Sequence, residues 1–282
     1  MKEKKKFICI ILFSISIIAC GGEDKMTSSE TFKKKVIVNK ERDRLGENYV
    51  EYYDNGIERV ISGQEKGELH GAYSKFNSDG SLSEEGIMRN GLRNGVWKSY
   101  NKKGKLKSVK QYYNDSLLFD LDQLDFNFRE VTIGQKGLKI SVSKGWETSK
   151  KEMYPVILVS KKKCDDSVIF CSNITVVKDS LRDGVDFNTY LQLNYDLLQN
   201  QFNNFRLIAR GNIKVGDFSA FQITYLMQTD GVKLGGITTW IKNGEIIYVI
   251  TGLALNEGNS DFLKYKGLFQ EITSSLSVDG NM

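Results

Sequence analysis

A repeat of 24 residues is the feature of this sequence that most restricts its fold. It runs from Glu47 to about Tyr113, and its matching positions are glycines and large apolar or aromatic residues. Gly67, Gly71, Tyr73, Phe76, Gly80 and Leu82 recur as Gly91, Gly95, Trp97, Tyr100, Gly104 and Leu106. Short aromatic strands that alternate with Asn-Gly, Asp-Gly or Lys-Gly turns predict β-hairpins, because such turns need positive φ angles.

The repeat predicts a meander of hairpins over residues 45–118, in which each hairpin is stabilised by stacking on its neighbours. The segments GELHGAYSKFNSDGSL and GLRNGVWKSYNKKGKL resemble MORN-type repeats, in particular the YwqK-like family of bacterial repeat proteins. That resemblance implies a binding or spacing surface and no reaction. Tyr73, Phe76, Trp97 and Tyr100 are therefore candidate binding residues. The alternative is that these aromatic side chains form the core of the repeat itself.

A lysine-rich segment without any acidic residue lies between Trp97 and Asn114. Lys102, Lys103 and Lys105 at its centre are candidates for contact with anionic lipid or lipopolysaccharide, since each lysine near such a surface contributes about 1 kcal/mol. The alternative is a solvated edge on which lysine prevents pairing with other strands.

The second half of the chain predicts an α+β domain at residues 135–278, after a connector at 119–134. Period-two alternation indicates strands in GLKISVSKGWE, YPVILVSKK and NITVVKDS. A helix capped by Asp186 follows, then four more strands in hairpin order, and a closing helix from about Ser260. We therefore expect a β-hairpin repeat module followed by one antiparallel sheet of about seven strands packed with two helices.

This order of elements resembles the PsbP-like and DcrB-like family over about 150 residues. The resemblance is carried by GLKISVSKGWE, SNITVV, FNTYLQLNYDLL and GDFSAFQITYLMQTDG. It implies a binding or assembly role and no shared reaction. Some photosynthetic members are linked to metal ions, but this sequence has no cluster of histidines or carboxylates that matches such a site.

The N-terminus predicts export and lipidation. Four lysines precede an apolar run from Phe7 to Ala19, which is of signal-peptide length and too short to span a bilayer. Ile17-Ile18-Ala19-Cys20 resembles the lipobox of bacterial lipoproteins, which implies cleavage of residues 1–19 and acylation of Cys20. Residues 20–44 are then a flexible tether. Residue 21 is glycine, whereas an aspartate at this position would imply retention in the inner membrane. The resemblance therefore favours the outer membrane.

Charge gives no support to a nucleic-acid partner. The formal net charge of the chain is +5, but residues 1–19 carry four lysines and one glutamate, so the mature chain is left with +2. The basic character belongs largely to the segment that is predicted to be removed.

Cysteine use agrees with an oxidising compartment. Of the four cysteines, one lies in the predicted signal and one is Cys20, which leaves Cys164 and Cys171. A disulfide between them is the expectation in the envelope, where closing so short a loop would stabilise the fold by about 2–3 kcal/mol. Free thiols are the alternative.

No catalytic constellation is visible in the sequence. His70, the single histidine, lies in a repeat turn without a nucleophile or acid arranged around it. We therefore predict no catalytic residue, no metal site and no cofactor. The expected function is that of a non-enzymatic, membrane-anchored envelope lipoprotein that binds a protein partner or assists assembly. The alternatives are a lipid-anchored immunity or antitoxin-like protein that neutralises a toxin, and a secreted hydrolase.

Overall fold

The computed structural model describes residues 48–133, 137–151, 155–165, 168–257 and 261–278. The predicted signal peptide, Cys20 and the tether lie outside the described residues. The described residues belong to one compact unit, Leu45–Met282. Strands make up 61% of them and helices 13%. Within this described part, no helix has both the length and the apolar character needed to cross a membrane.

The first sheet, named the repeat sheet here, is an antiparallel meander in which each strand pairs with the next one along the chain. Its strands are β1 (Asn48–Tyr52), β2 (Glu58–Glu65), β3 (Glu68–Phe76), β4 (Leu82–Arg89), β5 (Leu92–Tyr100), β6 (Leu106–Tyr113) and β7 (Ser116–Leu121).

Tight turns explain the 24-residue period of this sheet. Lys66-Gly67, Asn90-Gly91 and Asn114-Asp115 each have two successive positive φ angles, as a two-residue hairpin turn requires. The third turn has Asp115, with φ 64°, where the other two have glycine. Its carboxylate accepts hydrogen bonds from the backbone N–H and the Nε of Arg93, at 3.0 and 2.8 Å. The hydrogen bonds of the Asp115 side chain thus compensate for a positive φ angle, which is less favourable for aspartate than for glycine.

The second sheet, named the central sheet, is also antiparallel and has seven strands. They are β10 (Trp146–Lys150), β11 (Val156–Lys162), β12 (Asn173–Ser180), β13 (Asn203–Val215), β14 (Phe218–Thr229), β15 (Val232–Asn243) and β16 (Ile246–Leu255). Their spatial order is β10-β11-β12-β16-β15-β14-β13. The segment that contains both cysteines joins β11 to β12 as the predicted hairpin.

A third sheet, named the small sheet, was not expected. It consists of β8 (Phe128–Ile133), β9 (Leu138–Ser143) and β17 (Ser277–Val278), in the order β17-β9-β8. The predicted fold class, a hairpin module plus one sheet with two helices, was therefore wrong, and the protein is a β-rich fold of three antiparallel sheets. The physical reason is that β9 pairs with β8 on one side and with β17 on the other, so it has no free edge for the central sheet.

Two helices complete the part of the fold that is described. α1 (Phe187–Gln201) begins after Asp186, whose carboxylate accepts hydrogen bonds from the backbone N–H groups of Asn188 and Thr189 at 2.8 and 3.1 Å. This confirms the predicted cap, which satisfies two of the free N–H groups at a helix start. α2 (Asp261–Ser274) carries a buried apolar face along its length.

Helix α2 is packed between the central sheet and the repeat sheet, and glycines allow both close contacts. A Cβ atom at Gly235 or Gly252 of the central sheet would lie closer than 3.0 Å to the ring of Phe262 or Phe269. On the opposite side of the helix, a Cβ at Gly267 would lie closer than 3.0 Å to Val96 of β5.

One apolar core therefore serves all three sheets. It includes Val109 of the repeat sheet, Ile140 of the small sheet and Ile237 of the central sheet, together with Phe269 of α2.

Candidate functional site

The aromatic residues predicted as a binding surface lie on two different faces of the repeat sheet. Tyr73 and Trp97 share the outer face, with ring centroids 5.2 Å apart. The ring of Trp97 covers Gly86, where a Cβ atom would lie closer than 3.0 Å to the indole. Trp97 is 3% exposed, so almost none of its ring is accessible to a ligand.

Phe76 and Tyr100 lie three residues after these two, and the period-two alternation of a strand places them on the opposite, inner face. The hydroxyl of Tyr100 donates a hydrogen bond to the carboxylate of Glu85. On the same face, Lys98 of β5 forms an ion pair with Glu271 of α2. The inner face is thus the one that packs against α2.

The three candidate lysines, Lys102, Lys103 and Lys105, are exposed in the turn between β5 and β6. The side chain of Asn101 holds this turn, because its Oδ1 accepts hydrogen bonds from the backbone N–H groups of Lys103 and Lys105. The structure therefore places the three lysines in a turn at one end of the repeat sheet, whereas Tyr73 and Trp97 lie on its outer face.

The two candidate cysteines are at disulfide distance, with their Cα atoms 6.0 Å apart. They enclose a loop between β11 and β12, named the cysteine loop, of which residues 163–165 and 168–172 are described. Phe170 within this loop is buried, at 7% exposure.

The cysteine loop forms one wall of a cleft of about 420 Å³, named the junction cleft. The second wall is the end of β7 and the turn that follows it, residues 120–122 and 125–126. The third wall is the first turn of α2, which contributes Asp261, Lys264 and Tyr265. The repeat sheet, the central sheet and α2 thus all contribute to this cleft.

A hydrogen-bonded cluster of Asp125, Lys162 and Tyr265 is built into the wall of the junction cleft. Asp125 is 5% exposed, and its Oδ1 accepts a hydrogen bond of 2.7 Å from the indole Nε1 of Trp146. Its Oδ2 lies 3.5 Å from the Nζ of Lys162, which also donates a hydrogen bond to the hydroxyl of Tyr265. The indole of Trp146 packs edge-on against the ring of Tyr265, with centroids 5.8 Å apart.

Electrostatics in the cluster keep its lysine charged and its tyrosine neutral. Burial raises the pKa of Tyr265 to about 12, although the nearby Lys162 ammonium partly opposes that shift. Burial lowers the pKa of Lys162, but the hydrogen bond to Tyr265 and the charge of Asp125 outweigh this effect, and the pKa of Lys162 is raised overall.

The junction cleft could not be found from the sequence. Asp125 and Lys162 are 37 residues apart, and Lys162 and Tyr265 are 103 residues apart. The sequence around each of the three residues gives no local signal that they meet. His70, the residue that the sequence did single out, lies with its Nδ1 3.5 Å from the carboxylate of Glu65 in the repeat sheet. Among the described residues, no three His, Cys, Asp or Glu side chains form a group that could hold a metal ion.

The chain matches no protein-family model and no curated protein sequence. Several solved structures resemble part of it, among them three from different organisms. The cyanobacterial PsbP protein of Synechocystis sp. PCC 6803 is 14% identical, and the match covers 54% of this chain and 92% of that chain with a TM-score of 0.41. LpqN of Mycobacterium tuberculosis, involved in cell envelope biogenesis, is 15% identical over 56% of this chain and 95% of that chain, with a TM-score of 0.43. The Saccharomyces cerevisiae Ran-binding protein Mog1p is 13% identical over 54% and 95%, with a TM-score of 0.42. Likenesses with TM-scores below 0.5 transfer no function to this chain.

Proposed function

We propose that this protein is a non-enzymatic binding module, anchored to the bacterial cell envelope through Cys20, which holds a partner in the junction cleft. The observation that carries the proposal is the cluster of Asp125, Lys162 and Tyr265 in the cleft wall. Segments far apart in sequence fix these side chains before a partner arrives. Groups that are already ordered lose little conformational entropy on binding, which favours affinity.

The pKa values of the cluster support binding rather than catalysis. A general acid or base is most effective when its pKa is close to the ambient pH. Lys162 and Tyr265 both have pKa values raised from ordinary values that are already far above neutrality. Around pH 7 they therefore act as a fixed cation and a fixed hydroxyl.

Photo-crosslinking from the cleft tests the binding role. A photoreactive residue placed at Lys163, an exposed residue on the cleft rim, is expected to give a covalent adduct with a specific envelope component. The same residue at Asp230, in the exposed turn between β14 and β15, is the matched control and is expected to give none. If neither position forms adducts, or if both positions form them equally, the cleft is not the binding site. Substrate turnover that is lost in Lys162→Met would refute the non-enzymatic part.

The proposed location in the envelope rests on the sequence around Cys20, and intact-mass analysis of the native protein tests it. The mature chain is expected to begin at Cys20 and to carry acyl mass, whereas Cys20→Ala is expected to stay unprocessed and unacylated. A native protein that begins at Met1 without acyl mass would contradict the proposal.

A further inference from the structure

The last strand of the repeat sheet has an open edge. β7 pairs only with β6, so its outer backbone N–H and C=O groups have no strand partner in the described part of the chain. Soluble proteins usually protect such an edge with lysine or proline, because an open edge can pair with another chain. β7 has the sequence SLLFDL and contains neither residue, while Leu117 and Leu118 are 48% and 46% exposed.

The edge strand β13 of the central sheet is protected against pairing, in contrast to β7. β13 is an edge strand of the central sheet and has 13 residues, more than twice the length of β7. It exposes Arg206, Arg210 and Lys214, and its pairing with β14 contains two register shifts. β1, the other edge strand of the repeat sheet, also lacks lysine and proline, but of these two strands only β7 contributes to the described lining of the junction cleft.

The open edge leads directly into the junction cleft. Asp120 and Leu121, at the end of β7, and Asp122, which follows them, all line the cleft. Its described lining contains five aspartates and three lysines, so it has an excess of negative charge.

Three of those aspartates have a lysine partner at 3.5–3.6 Å: Asp120 with Lys110, Asp125 with Lys162, and Asp261 with Lys264. Asp122 has no such ion pair among the described residues, and its Oδ1 accepts only the backbone N–H of Leu124, at 2.9 Å. A cationic group on the partner would supply the missing countercharge.

We propose that an extended segment of a partner polypeptide adds to β7 as a further strand and places a lysine or arginine side chain in the junction cleft beside Asp122. This inference rests on the proposed function, because it names what the junction cleft binds. Backbone hydrogen bonds along β7 supply affinity that is independent of the partner's sequence. The exposed leucines and Asp122 select for apolar side chains and a cation at one end of the added strand.

Fluorescence anisotropy with the full-length protein and a set of short labelled peptides tests the proposal. The peptides alternate valine and threonine and carry one lysine at varied positions. Matched peptides have glutamate in place of the lysine, or N-methyl groups on alternate backbone amides. The best lysine peptide is expected to bind at least tenfold more tightly than its glutamate and N-methylated counterparts.

Protein variants locate the binding site. Leu118→Lys is expected to weaken binding at least tenfold, because it protects the edge, and Asp122→Asn is expected to weaken it several-fold. Ile208→Lys places the same charge on the edge strand β13, at a residue that is also about half exposed (48%), and is expected to leave binding unchanged. Circular dichroism of each variant confirms that the fold is retained.

Three results would overturn the inference. Equal binding of the N-methylated peptide would exclude strand addition, and a lack of binding by every peptide would exclude an extended segment. A dimer that Leu118→Lys converts to monomers would show that a second copy occupies the β7 edge. If crosslinking from Lys163 still gives a specific adduct in any of these cases, the proposed function stands and only the nature of the partner is wrong.

Discussion

Gly267→Ala tests whether α2 is packed against the repeat sheet, because the sign of its effect depends on that contact. Gly267 lies inside α2, where replacing glycine by alanine normally stabilises a protein by about 1 kcal/mol. In this fold the new Cβ atom would lie closer than 3.0 Å to the Cγ2 methyl of Val96. Overpacking of this kind costs about 1–3 kcal/mol. The expected net effect is therefore a destabilisation of up to about 2 kcal/mol.

The second half of this double-mutant cycle shortens Val96, the side chain that opposes the new Cβ atom. Val96→Ala alone is expected to destabilise by about 1 kcal/mol, since the side chain is only partly buried and each buried CH₂ contributes about 0.8 kcal/mol. In that background Gly267→Ala no longer meets Cγ2 and is expected to stabilise by about 1 kcal/mol. The coupling free energy between the two substitutions is then about 1–3 kcal/mol.

Urea unfolding of the four proteins measures this coupling. Gln270→Ala, at an exposed position of the same helix, is the control and is expected to change the free energy of unfolding by only a few tenths of a kcal/mol. If Gly267→Ala stabilises by the same amount with valine and with alanine at position 96, α2 does not pack against β5, and the shared core is refuted.

Three further predictions follow from contacts elsewhere in the fold. Lys98→Met leaves Glu271 without its cation and is expected to destabilise by about 2 kcal/mol, most of which Glu271→Gln should recover in the double variant measured by urea unfolding. Burial raises the pKa of Glu271 above its ordinary value of 4.5, so the folded state binds this proton more tightly than the unfolded state does. The stability is therefore expected to fall as the pH rises from 4.5 through the pKa of Glu271 in the folded protein, and Glu271→Gln should lack that slope in thermal melts. Replacing Cys164 and Cys171 by serine is expected to cost about 2–3 kcal/mol and to weaken crosslinking from the cleft, whereas an unchanged melting temperature would argue against a disulfide.

Local patterns predicted the hairpins and helices of this fold well, since each depends on residues close together in the chain. The Asp230-Gly231 turn joins β14 to β15 as expected, with positive φ at both residues. The helical spacing of Phe262, Tyr265 and Phe269 predicted the buried face of α2, and all three are buried. A turn or an amphipathic helix can be identified without knowing what it packs against.

Long-range pairing was less predictable. The segment that forms β8 falls within the predicted connector, and its charged residues Arg129 and Glu130 interrupt the apolar alternation. Its partner β9 has Leu138, Ile140 and Val142 buried on one face, which indicates a strand but not the sheet to which it belongs. The sheet to which β9 belongs depends on β17, a strand near the C-terminus that pairs with β9. A pairing fixed by the C-terminus leaves no signal near β9 itself.

The outer face of the repeat sheet explains why the proposed binding site lies at an edge and not on the aromatic rings. Trp97 is nearly inaccessible, because its ring rests on Gly86 and is flanked by Tyr73 and Tyr112. The guanidinium of Arg93 lies 4.1 Å from the ring centroid of Tyr112 and 5.9 Å from that of Trp97. The rings therefore stabilise one repeat against the next, as in other repeat proteins. Stacking of this kind ends at β7, which is left with a strand neighbour on one side only at the border of the junction cleft.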